Sequence, residues 1–192
     1  MRSHQARIGV AGFSQVFRLC AQLLVVVLLA RHLGLFDFGI LATSLALLSL
    51  FAPFVGLGLP YSATREVVLK KNLGRRFLIL SIKVICFTFL PVVLLAWSVQ
   101  SFLMKSDFSF SSFMFLAFSE CLAGQIIELS YRFMEASDKP KRLALTRIKN
   151  SVFGVIAAAS FVVFYPNGDL ADWVIIYAAS SLISAGVAFG SA

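Results

Sequence analysis

Four ionisable side chains stand inside apolar stretches of this chain, and its chemistry has to be sought there: Arg18, Lys83, Glu120 and Glu128. In hydrocarbon a charge must be paired, hydrated or carried to the interface on a flexible stem, so each of these positions is a functional hypothesis. With helices rising about 1.5 Å per residue from the nearest basic flank, Arg18 lies about 15 Å deep and Glu120 about 16 Å, against about 9 Å for Lys83 and about 4 Å for Glu128. Lys83 and Glu128 are shallow enough to snorkel to the surface or to meet each other. Arg18 and Glu120 are deep and level. Two readings follow for them: a structural ion pair between the first and fourth apolar segments, or residues facing a hydrated cavity where the Arg18 guanidinium meets an anionic group. Glu120, Gly124 and Glu128 recur at i, i+4 and i+8 with Gln125 beside them, which turns one face of that segment inward.

The remaining reactive residue types form no constellation. Cys20, Cys86 and Cys121 are an odd number without a CxxC spacing, each inside an apolar segment, and read as small buried hydrophobes. His4 and His32 lie on segment flanks without other ligand types nearby. The sequence therefore predicts no metal site, no cofactor and no nucleophile paired with a base.

The elements that must position the four charges are helices in a membrane. Of 192 residues 59% are hydrophobic, with mean hydropathy +0.90, more than a soluble domain of this size buries in one core. Six apolar segments, at 8–30, 38–59, 77–99, 108–130, 148–165 and 173–192, each approach the length of about 20 residues that crosses the hydrocarbon, and none alternates like a barrel strand. An all-α polytopic membrane protein of six transmembrane helices is expected. The first segment is retained, because ARHLG after it offers no small-residue cleavage site. Pro53 and Pro91 each remove an intrahelical hydrogen bond and are the candidate hinges. The Gly186/Gly190 spacing and Gly124 suggest close helix packing.

Charge sets the orientation. Thirteen of the 17 cations fall on the N-terminus, on 61–76 and on 131–149, whereas the opposite loops hold Arg31 and Lys105 beside Asp37, Asp107, Asp169 and Asp172. By the positive-inside rule the N-terminus and both basic loops are cytoplasmic. The net charge of +8 is thus topological, which removes the case for nucleic acid and leaves anionic lipid headgroups as sufficient partners for the basic loops. Trp97, Tyr165 and Trp173 mark the outer boundary, and Tyr61 and Tyr131 the inner one.

The stretch ARHLGLFDFGILATSLALLSLFAPFVGLGLPYSATRE, with Leu33-Gly34, Phe38-Gly39, Gly56-Leu57-Gly58 and Arg65, resembles the opening of the polysaccharide-biosynthesis flippases, the O-antigen and capsule exporters. YRFMEASDKPKRLALTRIKNSVFGVI is similar to the basic passage into the fifth helix of that family. Lipid II flippases and multidrug and toxin extrusion transporters belong to the same superfamily. The resemblance implies two six-helix lobes around a cavity open to one side at a time, so this chain would be the N-terminal lobe of a longer transporter, its C-terminal lobe missing. It also implies a bacterial cytoplasmic-membrane location and an undecaprenyl-diphosphate-linked oligosaccharide as cargo. Arg18, Glu120 and Gln125 then become the substrate-binding candidates, with Lys83 and Glu128 behind them, since a guanidinium offers phosphate a fixed fork of donors. Two other readings compete: a cation-coupled drug exporter with Glu120 as the ion site, and a membrane scaffold that transports nothing.

Overall fold

The computed structural model describes residues 2–59, 62, 74–103, 108–137, 140–166 and 168–191. Tyr61, Arg65, Lys105 and Asp107 lie outside the described residues. Among those described, every regular element is helical: α1 Arg2–Phe51, α2 Gly74–Leu103, α3 Phe110–Ala117, α4 Gly124–Ala136, α5 Pro140–Phe164 and α6 Leu170–Ser191. A π-helical turn, Phe118–Ala123, joins α3 to α4 into one rod. Five stretches are long and apolar enough to cross a membrane, and the first of these, Gly12–Phe54, runs 43 residues.

At about 1.5 Å per residue that run measures about 64 Å, roughly twice the hydrocarbon thickness. It is broken at Gly34, where φ 76° and ψ 174° leave the helical region altogether. That combination is open to glycine alone, because any Cβ would collide with its own backbone. Contacts show what the break does. Before it, His32 Nε2 lies 2.8 Å from the Tyr165 carbonyl oxygen at the end of α5. After it, Ser44 Oγ accepts from Gln100 Nε2 near the end of α2, and the Gly56 N–H donates to Thr88 Oγ1 three turns back along α2. The two halves of α1 therefore run in opposite directions, the first parallel to α5 and the second antiparallel to α2. Where the apolar pattern predicts two segments separated by 31–37, the backbone stays helical on both sides of one residue.

Other boundaries also move outward, because hydropathy sees only the part of a helix that lies in hydrocarbon. Good helix formers such as Lys141, Arg142 and Leu143 carry α5 back to Pro140, and α4 continues to Ala136. Pro53 is not inside a helix: α1 ends at Phe51, and Pro53 sits in a 3₁₀ turn, Ala52–Phe54, so it terminates rather than bends. Pro91 is inside α2 as expected. The Gly56-Leu57-Gly58 motif is a left-handed turn, with φ of 91°, 51° and 74°. A Cβ on Gly56 would come within 2.9 Å of Ile85 Cγ1, so this turn presses the chain onto α2.

The core is formed by Leu41, Leu48, Ile85, Val93, Phe113 and Phe161, all essentially inaccessible. The outer surface is equally apolar, with Phe87 82% and Phe102 86% exposed. A surface of that kind is matched to lipid rather than to water. Several small or amphipathic residues fall on the other side of this division from their expectation. Cys20 and Cys86 face outward and only Cys121 is buried. Trp173 and Tyr131 belong to the interior, since helix packing covers faces that a boundary position alone does not reveal. Gly186 and Gly190 are exposed and nothing lies within 4 Å of a Cβ built on either, so no helix of this bundle uses that spacing among the described residues.

Candidate functional site

The polar groups of the bundle collect in two places. The first is the π turn. Glu120 lies in it, and its Oε2 accepts a hydrogen bond of 2.9 Å from the Tyr177 hydroxyl on α6. A π turn closes i→i+5 rings, which widens the helix and alters the facing of everything beyond it. Glu120 is thereby aimed at α6, while Glu128, two turns later, is held at 2.8 Å by Arg132 Nε on its own helix. Sequence spacing treats Glu120, Gly124 and Glu128 as one face; the inserted turn gives the two acids separate partners. Gly124 has only the Ser119 carbonyl oxygen near a built Cβ, at 3.9 Å, so it is not a close-packing glycine.

Tyr177 is itself the last member of an aromatic series. His32 meets Phe161 edge-on at 4.9 Å, Phe161 meets Trp173 at 5.5 Å, and Trp173 stacks on Tyr177 at 5.6 Å. This ladder ties the reversal near Gly34 to α5, α6 and the Glu120 carboxyl. His32, alone on its flank in the sequence, is the upper end of it.

The second place lies at the basic end of the bundle. Arg18 does not pair with Glu120: among the described residues the ion pairs are those of Arg132 with Glu128 and Glu135. Arg18 instead lies within electrostatic reach of Tyr131, as do Arg147 and Glu128. Tyr131 is eleven positions from Glu120 on the same rod, or about 16 Å further toward the basic end. The ion pair expected between Arg18 and Glu120 is not formed, and the carboxyl takes its partner from α6 instead. Around Tyr131 the Arg147 guanidinium stands 5.4 Å above the ring, and Asn150 Nδ2 donates to the phenol oxygen at 2.8 Å. The Nε atoms of Arg18 and Arg147 and the Oδ1 of Asn150 are buried without hydrogen-bond partners.

The other predicted residues are placed as follows. Lys83 is exposed on α2, consistent with a snorkelling ammonium, and is not brought to Glu128. Gln125 is half-buried on α4. Arg147, Asn150, Tyr131 and Tyr177 are site residues that spacing does not single out, because each acquires its partner from another helix. The one available signal is Arg147 with Asn150 at i, i+3, which places both on one face of α5. No metal-ligand grouping occurs among the described residues.

An all-helical bundle with an apolar outer surface and five stretches of membrane-crossing length fits a multi-pass membrane protein. Its kind is narrowed by its sequence as a whole. The chain belongs to the polysaccharide biosynthesis protein family, whose model matches residues 6–190. Neither a curated relative nor a solved structure matches it. Family and helices together fit a polysaccharide exporter.

Proposed function

We propose that the chain is the N-terminal lobe of a flippase that moves a lipid-linked oligosaccharide, carried on undecaprenyl diphosphate, across the bacterial cytoplasmic membrane by alternating access. In this reading α1 crosses the membrane twice, giving six crossings with the N-terminus and the basic loops in the cytoplasm. A second lobe in the same orientation closes the cavity. No catalytic residue is needed, since flipping breaks no covalent bond.

The observation that carries the proposal is Arg18, a half-buried guanidinium with a desolvated Nε and no carboxylate partner among the described residues. A cation left so is poised for a mobile anion, and the cargo's diphosphate replaces the hydration that Arg18 has lost. Arg18→Ala should lower glycan export in cells by at least about tenfold while the amount of protein in the membrane stays near wild type. Arg18→Lys should recover part of the loss, because the charge remains and the fork does not. Undiminished export in Arg18→Ala would remove the assignment.

The Glu120–Tyr177 bond in a π turn favours one second reading, a cation-coupled exporter in which that carboxyl gives and takes a proton. Export that collapses in Glu120→Gln but survives Arg18→Ala would select it.

A further inference from the structure

We propose that the lobe consists of two bodies joined at Gly34, and that the hairpin made by the second half of α1 with α2 swings as one unit. It swings against a four-helix body made by the first half of α1, the α3–α4 rod, α5 and α6. The proposal goes beyond the transport reading and does not depend on what the cargo is.

Two connected sets of interhelical hydrogen bonds run through the described residues. In the body, His32 ties the first half of α1 to the end of α5 at 2.8 Å. Asn150 and Thr146 tie α5 to α4, through the Tyr131 oxygen at 2.8 Å and the Met134 sulfur at 3.9 Å. Tyr177 ties α6 to Glu120 in the π turn at 2.9 Å. In the hairpin, Gln100 donates to Ser44 and the Gly56 N–H donates to Thr88, each at 2.9 Å. These two bonds are separated by 12 positions on either side, from Ser44 to Gly56 and from Thr88 to Gln100, so the hairpin is fastened along its length and not at a single point.

The boundary between the sets is of another kind. Phe89 meets Phe118 edge-on at 5.9 Å, and Trp97 packs on Phe110 at 5.1 Å and on Phe113 at 5.2 Å. A polar contact also crosses it, and that contact is weak: the Cys121 thiol lies 3.8 Å from the Leu48 carbonyl oxygen. Dispersion and ring contacts tolerate small changes of angle, whereas hydrogen bonds weaken steeply when bent, so this is the surface along which the lobe yields first.

Gly34 supplies the pivot. Its φ of 76° and ψ of 174° lie outside the helical region, and nothing stands within 4 Å of a Cβ built on it. Leu35 and Phe36 beyond it are 94% and 77% exposed, so neither braces the reversal. The chain is held before this stretch by His32 and after it by Phe38 and Leu41, which pack into the core. A short unbraced run between two fixed points is where a hinge absorbs its change of φ and ψ. The other connection of the hairpin to the body, through 104–107, lies outside the described residues. Leu48 is fully buried against Cys121, the residue after Glu120, so drawing the hairpin away uncovers that thiol in the π turn.

The test measures distances between spin labels on the full chain by pulsed electron resonance, in detergent and in lipid nanodiscs, with Cys20→Ser, Cys86→Ser and Cys121→Ala as background. Labels go on exposed residues: Leu50→Cys with Phe102→Cys within the hairpin, Ile156→Cys with Leu182→Cys within the body, and Phe102→Cys with Leu182→Cys across. Each internal pair should give one narrow distance, and the cross pair two distances at least about 5 Å apart, roughly one helical turn. Gly34→Ala should lower the ratio of the distance that matches this structure to the other by about tenfold or more, because a Cβ disfavours the φ and ψ seen here. With Cys121 restored, its labelling by a membrane-permeant maleimide should quicken in Gly34→Ala by a similar factor. One narrow cross distance in both media, or a hairpin pair that splits along with the cross pair, overturns the two-body division. A ratio in Gly34→Ala equal to wild type overturns the pivot, and if that variant does not reach the membrane the wild-type distances decide alone. A split cross distance in a protein whose Arg18→Ala variant exports normally would leave the hinge standing and remove the anion reading of Arg18.

Discussion

Glu120 and Arg18 are the two deepest charges that the sequence offers, and the fold treats them in opposite ways. The carboxyl receives a hydroxyl from α6 and ends an aromatic ladder that reaches back to His32. The guanidinium keeps a desolvated Nε without a hydrogen-bond partner. A satisfied group inside a bundle adds rigidity, and removing its partner should cost stability. An unsatisfied one costs stability as it stands, and removing it should cost function instead.

That contrast can be broken by experiment. The largest effect is expected for Arg18→Ala: export should fall by about tenfold or more, taking about 1.4 kcal/mol or more for the lost charged contact, while the thermal midpoint of the detergent-purified protein holds or rises. A collapse in protein level would show Arg18 to be structural and erase the distinction. Next comes Tyr177→Phe, which strips the partner from Glu120. Interhelical hydrogen bonds in membranes average about 0.6 kcal/mol and reach about 1.7, so this loss should lie toward the upper end, read as unfolding free energy in a detergent titration. A change of zero would mean that Glu120 is no better satisfied than Arg18. The smallest effect is expected for Glu120→Gln, whose amide oxygen still accepts from Tyr177: stability should move by less than about 0.5 kcal/mol, and export should persist if the carboxyl is structural.

The sequence by itself determined the class of the protein and most of its helices, because apolarity over about 20 residues is a local property that lipid enforces on each segment independently. Pro91 inside its helix was equally legible. Partner choice was not. Depth counted from Ile8 puts Arg18 level with Glu120, but the carboxyl takes its partner from α6 and the guanidinium is not brought to it. The i, i+4, i+8 spacing from Glu120 to Glu128 assumed a uniform helix, and one π turn gives the two acids different neighbours. Tyr177, Arg147 and Asn150 gain meaning only from residues on other helices, 57 positions away for Tyr177 and Glu120 and 19 for Asn150 and Tyr131. Which buried polar group is satisfied, and which is left to wait for a ligand, is decided by packing between helices, because a hydrogen bond depends on distance and angle in space and carries no period along the chain.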